Sequence, residues 1–158
     1  MSERLYDTDV LAWSAEQADL LRRLARGARV NGLDWENVIE EIEDVGKSER
    51  NAVRSPLQQA LVHLLKIHRF PQSGAIRHWS DEVLAFLDAA ATRYTPSMMH
   101  AVDLEHLYQR ARSRVEQYDE DGMRPRGLPA ACPFVLSDLM ADRPSVHDLL
   151  ARITDAAD

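Results

Sequence analysis

The chain has 158 residues and carries 26 acidic against 19 basic side chains, a formal net charge of −7. The length suits one domain whose core is large enough to fold without a disulfide or a structural metal. The acidic balance excludes nonspecific binding to nucleic acid or anionic lipid, which rests on Lys and Arg meeting phosphates, and the single cysteine, Cys132, excludes an intrachain disulfide and a cysteine-rich zinc site.

Helical periodicity dominates from the start. Val10, Trp13, Gln17, Leu20, Leu21, Leu24 and Ala28 recur at three- and four-residue steps and so line one face of a first helix, with Asp7 as its N-cap. Asn31-Gly32 reads as a turn. The second helix opens at Asp34, with Leu33 and Val38 at the two positions of a hydrophobic staple, and its pattern runs from Trp35 to about Phe70. Pro56 lies inside it, lacks an N–H and crowds the preceding turn, so a kink or break is expected just before it.

A third helix follows near Gly74, with Ile76, Trp79, Val83, Phe86, Leu87, Ala90 and Tyr94 as its stripe. Thr95-Pro96 fits the opening of a fourth, in which Ala101, Leu104, Tyr108, Ala111, Val115 and Tyr118 form a bundle-like seam. Asp119 to Pro133 is rich in Gly and Pro and reads as a long loop. A short helix is expected over Val135 to Ala141. A last one opens where Ser145 and Asp148 resemble a capping box, and it carries Val146, Leu149, Leu150 and Ile153. No apolar alternation bounded by turns signals a strand. The expected fold is all-α: an up-and-down bundle of about four long helices over 7–118. The loop and one or two short helices over 119–157 complete a single domain, 1–158.

Reaction signatures are missing. Gly46-Lys47-Ser48 resembles the end of a phosphate-binding loop, but Glu41 stands where that motif needs glycine, and a helix runs through it. None of the six histidines follows a glutamate by three positions, so the paired Glu and Glu-x-x-His pattern of di-iron bundles is not met. Cys132 has no neighbouring base to activate it. Neither a metal nor another cofactor is expected.

Two polar features stand out. Asp34, Glu36, Glu40, Glu41, Glu43 and Asp44 form an acidic run without a base, which leaves the rest of the chain nearly balanced. An acidic helix start complements the macrodipole, although Glu43 and Asp44 lie too far in for that alone. Trp35, Ile42, Glu49, Pro56, His63 and Phe70 are spaced by sevens and stay nearly on one helix face, so Glu49 and His63 are expected on or beside the buried seam. Glu41, Glu49 and His63 are therefore the candidate polar pocket, against a purely structural role in which Glu49 pairs with an arginine.

The segment from Asp34 to Arg50 resembles the signature of the bacterial family named "domain of unknown function 29". Leu61-Val62-His63-Leu64-Leu65-Lys66, Trp79, Pro96-Ser97, Leu128-Pro129 and Cys132-Pro133-Phe134 follow in the family's order, and Tyr6-Asp7 with Trp13 precede it. The resemblance covers roughly residues 5 to 142. It implies a helical bundle and no established activity.

The expected function is a noncatalytic protein-interaction or regulatory module with a protein partner or a homo-oligomer, and no nucleic acid or membrane. The alternative is a small-molecule- or metal-dependent enzyme with its site between the helices. No run approaches the roughly 18 apolar residues of a membrane helix, and residues 1–9 lack a signal-peptide apolar stretch. With one cysteine and an arginine- and alanine-rich composition, a bacterial cytoplasmic protein is expected.

Overall fold

The structure is a computed structural model that describes residues Ser2–Ala157, apart from the side chains of Ser2, Glu3, Arg4 and Val10. The all-α expectation holds. The helices are α1 (Ser2–Thr8), α2 (Val10–Ala25), α3 (Trp35–Arg69), α4 (Ile76–Arg93), α5 (Leu104–Glu116), α6 (Leu136–Leu139) and α7 (Val146–Ala157), with a 3₁₀ turn at Pro96–Met99. No strand occurs among the described residues.

The chain resolves into two compact units, Met1–Ser48 and Glu49–Asp158, where the sequence reading takes 1–158 as one domain. In the first unit, α1 packs on α2. Asp9, not Asp7, caps α2: its carboxylate accepts the Ala12 N–H at 3.0 Å, while Asp7 lies inside α1. The reversal after α2 comes earlier than Asn31-Gly32. Gly27 adopts φ +83°, and the Ala28 N–H reaches back to the Arg23 carbonyl, the bond that closes a helix end through a left-handed residue. Of the predicted stripe, Trp13 and Gln17 are buried, Leu20 and Leu21 are half-buried, and Leu24 and Ala28 are exposed; the Val10 side chain lies outside the described residues.

In the second unit a single apolar core gathers Val53, Leu57, Leu61, Leu64 and Leu65 of α3 with Val83 and Leu87 of α4, Leu107 and Tyr108 of α5, and Ile153 of α7. It also takes in Phe134, Leu136 and Leu139. The core thus reaches past residue 118, where the sequence reading ends the bundle, because α7 turns its Leu149 and Ile153 stripe inward. Thr95-Pro96 opens only the 3₁₀ turn; α5 starts later, with Asp103 accepting the His106 N–H at 2.9 Å.

Pro56 does not break α3, which is helical from Trp35 to Arg69. A proline inside a helix costs about 3 kcal/mol. Val53, Leu57, Ala60, Leu61, Leu64 and Leu65 around it are fully buried. Each large apolar side chain buried contributes about 1.5–3 kcal/mol, so packing outweighs the local penalty.

Gly46 lies in α3 with nothing within 4 Å of the place a Cβ would occupy, and its φ is not positive. Gly46→Ala is expected to stabilise the protein by about 0.5–1 kcal/mol through the unfolded chain's lost freedom. A thermal melt shifted upward checks this.

Candidate functional site

The start of α3 is held by a buried polar knot. The Asp34 carboxylate accepts from the Trp13 indole at 3.2 Å, from the Asn37 side chain at 2.7 Å and from the Asn37 backbone at 3.4 Å. The Asp34 N–H donates to the Gln17 side chain at 2.9 Å. These donors, the Asn37 amide first among them, hold the Asp34 carboxyl below its usual range despite the opposing cost of burial. Gln17 occupies the apolar stripe of α2 because it serves this knot. Two turns on from Asp34, Glu41 accepts the Tyr6 hydroxyl at 2.8 Å. That bond, with some burial, pushes the Tyr6 pKa up to about 12.

Asp34, Val38 and Glu41 are thereby committed to the first unit's interior or to Tyr6. The adjacent face of the same helix is not covered. Trp35 is 53% exposed, Ile39 52%, Ile42 67% and Val45 65%. Trp35, Ile39 and Ile42 stand at i, i+4 and i+7, and Val45 follows three residues later, so they form one apolar stripe about three turns long. Scattered exposed apolar residues are ordinary; a contiguous stripe along one helix face is not. Glu36, Glu40 and Glu43 flank it, all exposed and none in an ion pair among the described residues. The next base along the helix, Lys47, is engaged at 2.7 Å by Asp44.

This stripe is the feature the sequence reading missed. The sevens series places Trp35 and Ile42 on the buried seam, but only its last member, Phe70, belongs to the second unit's core. The signal was present: three large apolar residues at helical spacing within an acidic run.

The predicted polar pocket does not assemble into one place along α3. Glu41 lies in the first unit on Tyr6. Glu49 lies in the second unit, 3.6 Å from Arg93, with both side chains about half in solvent. A pair of this kind contributes little. His63 stacks on Phe86, ring centroids 5.8 Å apart, and its Nδ1 has no hydrogen-bond partner among the described residues. Glu49 and His63 are separated by roughly 21 Å of helix axis at 1.5 Å per residue.

His63 is held below its ordinary pKa by burial first, then by Lys66, His78 and Arg114, with Glu82 opposing. The neutral ring is thus the form the fold accepts. Stability from this group is complete above the unfolded value of about 6.5 and is lost as pH falls toward the depressed folded value. Thermal melts of His63→Gln across pH 5 to 8 are expected to show a flatter acid limb than the native chain.

Lys66 sits 3.8 Å from the Tyr118 ring centroid and 5.5 Å from that of Trp79, a cation–π arrangement; burial and Arg114 lower its pKa. Tyr118 donates to Glu120 at 2.7 Å, and Ser73 donates to the other Glu120 oxygen. Glu120 therefore ties the loop after α5 to the turn before α4. The half-buried Cys132 thiol is pushed up to about 11 by burial, which keeps it protonated and unreactive. Among the described residues no group of three or more His, Cys, Asp or Glu is arranged to hold a metal ion, and no helix is long and apolar enough to cross a membrane.

A family model described as "Domain of unknown function DUF29" matches residues 5–143. The chain is also similar to a solved α-helical protein of unknown function from Rhodospirillum rubrum ATCC 11170. The two share 25% identity and a TM-score of 0.68, over 94% of this chain and 96% of that one. No curated protein matches.

Proposed function

For this chain, which belongs to the DUF29 family, we propose a noncatalytic role as a protein-interaction module whose contact surface is the exposed stripe of α3. One observation carries the reading: Trp35, Ile39, Ile42 and Val45 keep more than half of their surface in water on a helix that is otherwise well anchored. A stable helix that leaves a Trp–Ile–Ile row bare gains by covering it, at about 25 cal/mol per Å² of apolar area removed from water. Large aromatic and aliphatic side chains at the centre of such a patch are the usual anchors of an interface. The same reading takes the compartment to be the cytoplasm, where a chain with a single cysteine and hence no intrachain disulfide is at home.

Side-by-side capture from native lysate tests it. The wild-type chain should retain proteins that Ile39→Ser does not, with both variants showing the same melting temperature. Identical retained sets would overturn the reading.

A further inference from the structure

We propose that the α3 stripe receives an amphipathic helix of another protein whose apolar row is flanked by Arg or Lys. The inference rests on the interaction reading above and names the partner's chemistry.

Shape sets the first constraint. The stripe is a straight row on one helix, roughly 15 Å long from Trp35 to Val45 at 1.5 Å per residue. A second helix laid beside it at a small crossing angle matches that row with its own i, i+3, i+4 and i+7 positions, the recurring helix-on-helix recognition mode.

Charge sets the second. Glu36, Glu40 and Glu43 edge the stripe with no direct ion pair among the described residues; Lys47 is bonded to Asp44 at 2.7 Å, and Glu43 and Glu40 act on it only at longer range. Any occupant brings its own flanks against these carboxylates. A second copy packing its equivalent stripe here would set acid against acid. An anionic lipid surface would meet the same repulsion. A helix with basic flanks turns the three carboxylates into favourable pairs, raises the rate of encounter and fixes the register. Apolar contact supplies affinity; the acidic border supplies the choice of partner.

The full-length chain can be titrated with three labelled synthetic helices, read by fluorescence anisotropy. One carries a Leu row with Arg flanks, one the same row with Glu flanks, and one the Arg flanks with the row changed to Ser. Only the first should bind. Its affinity should fall about tenfold in the triple variant Glu36→Gln, Glu40→Gln, Glu43→Gln, fall again on adding salt, and be lost in Ile39→Ser. Circular dichroism of each variant confirms that the helices remain.

Equal binding of the Glu-flanked helix would overturn the proposal. So would Arg-flanked binding that survives Ile39→Ser, or a concentration-dependent dimer in sedimentation abolished by that substitution. If no helix binds while Ile39→Ser still loses proteins held by the native chain in lysate, the basic-helix assignment fails and the interaction reading stands.

Discussion

Trp13→Ala is expected to cost the first unit about 3–5 kcal/mol, the usual range for removing a buried Trp or Phe. Trp13 is 4% exposed, meets Tyr6 edge-on at 4.9 Å, and donates its indole N–H to Asp34. The substitution removes the unit's largest buried ring and leaves the Asp34 carboxylate with one donor fewer. A unit this small has little stability in reserve. Amide exchange in α2 and the first turns of α3 should accelerate strongly. Exchange unchanged from the native chain would show that the knot around Asp34 does not hold the unit.

The second large effect separates two halves of one helix. Leu61→Ala is expected to destabilise the second unit by about 2–5 kcal/mol, because Leu61 is fully buried and the cavity cannot collapse freely. Ile42→Ala, on the same helix, should change stability by no more than about 0.5 kcal/mol, since Ile42 keeps 67% of its surface in water. Chemical denaturation of both variants gives the comparison. Similar costs at the two positions would mean that the α3 stripe is covered along its whole length.

Period and caps made the helices legible. Asp34 caps as expected, Ser145 accepts the Asp148 N–H at 3.2 Å, and the α4 stripe buries Trp79, Val83, Leu87 and Ala90. Burial was less legible, for a physical reason. Periodicity says which residues share a face; it does not say whether a neighbour covers that face. Trp35 and Phe70 lie in one seven-residue series, yet one is half in water and the other is 1% exposed. Pro56 failed as a breaker because local penalty was set against a core that sequence cannot weigh. Glu49 found an arginine, as the structural reading allowed, but Arg93 could be named only once α4 was placed.

Whether the α3 stripe stands open to a partner is read most directly from tryptophan quenching by acrylamide, a neutral probe that the acidic border does not repel. The chain has three tryptophans, of which Trp13 and Trp79 are buried and Trp35 is not. Native protein should show one freely quenched component that disappears in Trp35→Phe, with the melting temperature unchanged. Quenching that is weak throughout and unaffected by Trp35→Phe would mean the stripe is already covered and would contradict its role as a docking face.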